Sequence, residues 1–346
     1  MVRIQRRRRA SKITLGSKWL LALLFVLGLT GTFTYTSSRD NMAPSTTNSP
    51  TIFVAAISAT RILKSGKPYL LYGTAWKKEH TASLVEQAIT SGFRFIDTAC
   101  QPRHYNEPGV GEGIVNGMKK LGLQRSDLFI QTKYTPFGGQ DPNNIPYDPK
   151  AELEDQVEQS IAVSLRNLRT EYIDSLVLHS PLATHEQTMR VWRALEKKVE
   201  DGIIGQLGIS NCYDINEFKR IYEEAKVKPS VLQNRFYSDS GFDIELRSFC
   251  GDHSILYQSF WTLTSRTTHS NLQKPEIREM AKEKGLSPQT LMYAYMMELG
   301  HTPLSGTTNE AHMMEDVALM ERIQNGEQIL DDNEIGQFSR LLGITN

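Results

Sequence analysis

From Thr51 onward the chain alternates short apolar runs with amphipathic stretches. Strand-like runs recur as YLLYGT (69–74), FRFIDT (93–98), DLFIQTK (127–133), DSLVLHS (174–180), IGQLGIS (204–210), VLQNRFY (231–237), ILYQSFW (255–261) and TPLSGT (302–307). Between them lie helical stretches: VGEGIVNGMKKLG, AELEDQVEQSIAVSLRNLR, HEQTMRVWRALEKKVEDG and INEFKRIYEEAKV. The first closes on Gly122 and the third on Gly202, the residue that most readily ends a helix. After the seventh run comes PEIREMAKEKG, and Ser287-Pro288 then opens another helix. Ahead of the first strand, ISATRILKSGKPYLL sets a Ser-Gly-Lys turn between two alternating runs and predicts a β-hairpin.

Strands and helices in this alternation, in a chain of 346 residues, predict a parallel sheet closed into a (β/α)8 barrel, the TIM-barrel class of α/β fold, over residues 51–346. An open doubly wound sheet is the competing arrangement, and it usually carries Gly-x-Gly-x-x-Gly after its first strand. PGVGEG (108–113) follows the second run and lacks that spacing, so the closed barrel is the expectation.

Residues 1–50 are of another kind. MVRIQRRRRASK opens a basic tail (1–18), and no acidic residue precedes Asp40. WLLALLFVLGLTGTFTYT (19–36) is free of charge and meets the lower length limit for a membrane-spanning helix. With its basic flank it predicts a single-pass N-terminal anchor and a membrane-associated protein. A cleaved signal peptide and a mitochondrial presequence are the alternatives. Residues 37–50 read as a polar linker.

Lys and Arg equal Asp and Glu at 39 each, so net charge gives no reason to expect a nucleic-acid partner. Cys100, Cys212 and Cys250 are too few and too widely spaced for a disulfide framework or a zinc pattern. No cluster of His and carboxylates falls at the strand ends, so no metal site is expected and a metal-dependent hydrolase is disfavoured.

The strand ends carry the chemistry. Asp97 ends the second run, Lys133 the third, His179 the fourth, Ser210 and Asn211 the fifth, and Gln233 lies in the sixth. In a barrel these ends open onto one face, where active sites are built. Tyr105 and His104 follow in the loop after Asp97. A tyrosine titrates near ~10 in water, and a neighbouring lysine ammonium favours its phenolate. Aspartate would keep that lysine charged, and a histidine opposite would hold a carbonyl oxygen. Such a set can give a proton to a carbonyl oxygen while hydride reaches the carbon from elsewhere.

GTAWK, GFRFIDTA with the following Tyr-Asn-Glu and Val-Gly-Glu, LFIQTK, LVLHSP, GQLGISN and VLQN occur in that order, and LDDNEIGQF looks like a closing helix. On these motifs the chain resembles the aldo-keto reductases from about Ile57 to Leu342. The resemblance implies reduction of an aldehyde or ketone to an alcohol, a small-molecule carbonyl substrate, and NADP(H) held across the barrel mouth. It assigns Asp97, Tyr105, Lys133 and His179 to catalysis. Ser210, Asn211, Gln233, Gln258, Ser259, Gly306, Thr307 and Thr308 go to the cofactor, and Trp76 and His104 to the substrate pocket.

Three features depart from the family pattern. Tyr105 lies three residues further from Asp97 than usual, with Pro102 at the customary place. The seventh run, YQSFWTL, leaves Tyr257, Phe260 and Trp261 as candidates to stack on the nicotinamide. TPLSGTTNEAH has Leu304 and His312 where the family often has cations, which weakens the expected preference for the 2′-phosphate and keeps NADH in play. A cofactor-binding sensor barrel with little turnover is the rival reading. The short tail after the last helix implies an open site, and a monomer is the working expectation.

Overall fold

The computed structural model describes residues 58–263 and 266–344. Its strands are β1 (Leu71–Gly73), β2 (Phe95–Asp97), β3 (Phe129–Tyr134), β4 (Ile173–Leu178), β5 (Ile204–Ser210), β6 (Val231–Arg235), β7 (Leu256–Phe260) and β8 (Thr302–Ser305). All are parallel, each pairs with its sequence neighbour, and β8 returns to β1, so the sheet is a closed eight-stranded barrel. Leu71, Ile96, Ile130, Leu176, Leu207 and Leu232 are essentially without exposure. They are apolar because parallel strands are covered on their outer face by the crossover helices.

The hairpin expected over residues 57–71 is not formed. Ala59–Ser65 is a helix instead, capped by the Ser58 hydroxyl accepting from the Arg61 N–H and closed by Gly66 at φ 66°. Ala59 and Ile62 are its buried residues. In so short a piece the same apolar positions fit either period, and a left-handed glycine ends a helix as readily as it makes a turn. The basic tail, the charge-free segment 19–36 and the linker 37–50 lie outside the described residues. Among the described residues no helix is long and apolar enough to cross a membrane.

The glycines of PGVGEG serve packing. They open the helix Glu107–Leu121, and a Cβ at Gly111 would stand 2.0 Å from the carbonyl oxygen of Asn167 in the next helix, Leu153–Leu168. That close approach lets the Glu107 carboxylate accept from Thr132 at 2.5 Å, Ser164 at 3.0 Å and Asn167 at 3.0 Å. Burial pushes this carboxyl up, and the three donors act against that shift. Glu107 thereby ties the loop after β2 to β3 and to the helix beyond it.

Candidate active site

The C-terminal strand ends surround one cavity of about 1220 Å³. Asp97, His104, Tyr105, His179, Ser210, Asn211, Gln233, Trp76, Gly306, Thr307 and Thr308 all line it. Residues far apart in sequence meet here because each sits at or just beyond the end of a strand in the ring.

Asp97 and Lys133 form the buried core of the site, each about 1% exposed. The Lys133 ammonium donates to both carboxylate oxygens, at 2.8 and 2.6 Å, and to the Thr98 carbonyl at 2.8 Å. Its three donors are thereby used. Asp97 Oδ1 accepts further bonds from Gln131 at 2.7 Å and Gln233 at 3.0 Å. A buried ion pair needs such additional bonds to offset desolvation. Burial still pulls the Lys133 ammonium below its ordinary value, opposed by Asp97.

Tyr105 lies against this pair, with Lys133 Nζ 5.4 Å from its ring centroid. Its ring meets His179 edge-on, with centroids 6.0 Å apart. The sequence reading has Lys133 lowering the phenol's pKa; the structure shows it raised, by burial first and Asp97 second. Asp97 already neutralises the ammonium, so no net positive charge faces the ring. Tyr105 is therefore a protonated phenol at neutral pH, the form an acid must have.

His179 Nδ1 lies 2.6 Å from the Thr135 hydroxyl. With that hydroxyl donating to Nδ1, the ring hydrogen sits on Nε2. Burial, Lys133 and His104 hold the imidazole well below its ordinary value. A neutral imidazole donating from Nε2 is suited to hold a carbonyl oxygen.

The long loop after β2 is built as a turn. The N–H groups of His104 and Tyr105 both donate to the Gln101 carbonyl, and the Gln101 side chain donates to Gly139 at 2.7 Å. Pro102 and Arg103 form the exposed outer part of the turn, which accommodates the three added residues. His104 packs on Trp76 with centroids 4.1 Å apart, and burial then Arg103 lower its pKa. Trp76 is 56% exposed at the cavity rim.

On the opposite wall, the Asn211 amide donates to the His179 carbonyl at 2.8 Å and to the Ser210 hydroxyl at 3.2 Å. Gln233 spends its amide hydrogens on Asp97 and on Gln258 Oε1, at 3.0 and 2.9 Å. Its carbonyl oxygen is the group left to accept from a ligand. Ser210, Asn211 and Gln233 thus fit a carboxamide, which both donates and accepts.

Two of the expected cofactor residues do not reach the cavity. Gln258 is fully buried inside the barrel, bonded to Gln131 and Gln233, because its side chain points one layer below the mouth. Ser259 is also fully buried, and its hydroxyl meets that of Thr262 at 2.8 Å. Tyr257 faces away as well, its hydroxyl bound to Asp243 at 2.9 Å. Phe260 and Trp261 are the aromatic residues of this strand that line the cavity.

The turn after β8 is not without a cation. Lys77, buried just past β1, donates to the Gly306 carbonyl and lies 3.5 Å from that of Thr307. Burial pulls its ammonium down to about 8. With the exposed Thr308 and the opening of the helix Glu310–Gln324, this corner fits phosphate groups. GTAWK contains Lys77, but nothing local reveals its partner, which lies 229 residues away. Thr135, Gln131 and Arg235 were also missed. Thr135 alone had a local signal, standing two residues beyond Lys133.

A barrel with this strand-end constellation belongs to the oxidoreductase type of site. A model of the aldo/keto reductase family matches residues 66–330, and the chain belongs to that family. An uncharacterised oxidoreductase of Schizosaccharomyces pombe is 28% identical over 235 residues, 68% of this chain and 75% of that protein. Glycerol 2-dehydrogenase (NADP(+)) of Hypocrea jecorina is 24% identical over 77% of this chain and 87% of its own. Among solved structures, an aldo/keto reductase from Brucella melitensis superposes with a TM-score of 0.63 at 25% identity, covering 79% of this chain and 94% of that one.

Proposed function

We propose that the protein reduces an aldehyde or ketone to an alcohol with NAD(P)H, Tyr105 giving the proton. The observation that carries this is the meeting of a protonated Tyr105 phenol with a neutral His179 imidazole in one cavity, backed by the buried Asp97–Lys133 pair. The nicotinamide would supply hydride to the carbonyl carbon. Ser210, Asn211 and Gln233 would hold its carboxamide, and Lys77 with Gly306–Thr308 its phosphates. His179 Nε2 holds the substrate oxygen, and the Tyr105 hydroxyl donates its proton to that oxygen. The phenolate left behind has the Asp97-paired Lys133 ammonium as a neighbouring positive group, 5.4 Å from its ring centroid. Asp97 keeps that ammonium charged and fixed. Lys77 supports a phosphate-rich cofactor, in keeping with the NADP(+) in the Hypocrea relative's name.

Tyr105→Phe tests the reading. Aldehyde reduction should fall by roughly 10²–10⁴, while the NADPH dissociation constant, from fluorescence quenching, stays near the wild-type value. Full activity in Tyr105→Phe beside an inactive His104→Ala would transfer the role to His104.

A further inference from the structure

Beyond Gln233, β6 runs on to Arg235, two residues further and so on the same face of the strand. Its side chain lines the cavity. The guanidinium carbon lies 4.2 Å from the Trp261 ring centroid, 5.1 Å from that of Tyr237 and 5.9 Å from that of Phe260. Trp261 is held at φ 53°, a left-handed conformation unfavourable to a bulky residue, so backbone strain accompanies this stacking. The other arginines in ion pairs among the described residues are Arg125, Arg190, Arg193, Arg220 and Arg322; Arg235 is not one of them. Its Nε is buried with no hydrogen-bond partner among the described residues.

Aromatic rings satisfy the faces of a guanidinium and leave its edge of N–H donors unmet. An edge held in this way is matched by a planar oxyanion, which takes two parallel bonds. Position indicates whose oxyanion. In a ring of eight strands β6 stands opposite β2, so Arg235 faces the loop carrying Tyr105 across the cavity. The phosphate corner, by contrast, lies between β8 and β1 and has its own cation in Lys77. We infer that Arg235 anchors the carboxylate of the carbonyl substrate, making the preferred substrates aldehydes or ketones that carry an acid group at their far end. The inference rests on the reductase reading for the carbonyl end alone.

The test compares acid-bearing and neutral aldehydes of like size: succinic semialdehyde against butanal, and para-carboxybenzaldehyde against benzaldehyde. The wild type should favour the acid of at least one pair in kcat/KM. In Arg235→Gln that acid-to-neutral ratio should fall roughly 10- to 100-fold, as expected for losing a hydrogen-bonded charge, with partial recovery in Arg235→Lys. No acid preference in the wild type, or an unchanged ratio in Arg235→Gln, overturns the inference. An unchanged ratio together with a weaker dissociation constant for both NADPH and NADH would assign the oxyanion to the cofactor's diphosphate, also against it. If the wild type reduces no aldehyde, the reductase reading fails and the anchor is judged by binding. Para-hydroxymethylbenzoate should then quench tryptophan fluorescence, since Trp261 stacks on Arg235, at least tenfold more weakly in Arg235→Gln; equal binding would overturn the anchor.

Discussion

Asp97→Asn removes one charge from the floor of the cavity while changing its shape little. Lys133 is then left with two responses. Keeping its proton means an uncompensated buried cation, a cost of about 3–5 kcal/mol. Releasing it at pH 7 means moving from an ordinary value near ~10.4, at about 1.4 kcal/mol per unit, or roughly 4.6 kcal/mol. The cheaper route wins, so the loss is bounded near ~5 kcal/mol. Solvent gives no relief, because both side chains are about 1% exposed. For a domain of this size that corresponds to a fall of roughly 5–8 °C in Tm. Thermal and urea unfolding at pH 7 would measure it.

The sign of the pH effect follows from the same pair. In Asp97→Asn the folded Lys133 holds its proton less well than the unfolded chain, so stability must rise with pH between 7 and ~10 relative to the wild type. The double variant Asp97→Asn with Lys133→Met removes both charges and should be more stable than Asp97→Asn alone by at least ~1 kcal/mol. A loss under ~1 kcal/mol in the single variant, or a double variant that simply adds two penalties, would refute the coupling.

Two further outcomes are expected. The Lys77 ammonium titrates at about 8 and must be charged to hold phosphate, so the NADPH dissociation constant should rise as pH passes 8, and Lys77→Met should weaken binding and flatten that profile. Asp316, buried and bonded to Ser305 at 2.6 Å, is pushed up to about 7 by burial. Its protonated form is favoured in the folded state, so it withdraws stability as pH rises from ~4 to 7. Asp316→Asn should therefore raise Tm at pH 8, by roughly 2–4 kcal/mol of stability, and change it little at pH 4; equal effects at both values would contradict the assignment.

The sequence by itself determined the barrel. Parallel strands covered by helices must be apolar on the outward face, and the helices must pack on that side, so the alternation is written locally and survives reading one residue at a time. It also determined that Asp97, Lys133 and His179 share a face, since each ends a strand and strand ends in a barrel open one way. The loop phenol Tyr105 reached the same cavity by the chain's own connectivity.

Only the tertiary structure decided the rest. Ala59–Ser65 became a helix because a short run fits two periods equally, and packing of Ile62 and Ala59 into the core chose between them. Trp261 and Phe260 line the cavity while Tyr257, Gln258 and Ser259 do not: Gln258 sits one layer below the mouth, and a left-handed backbone at φ 53° redirects the chain at Trp261, just after β7. The Tyr105 phenol is raised rather than lowered by burial first and Asp97 second, while Lys133 is paired with Asp97 across 36 residues of sequence. Lys77 meets Gly306, and Arg235 lies among aromatic rings without a carboxylate, through contacts set by ring closure. A charge's effect depends on what surrounds it in space, and that is fixed only when strands distant in sequence come together.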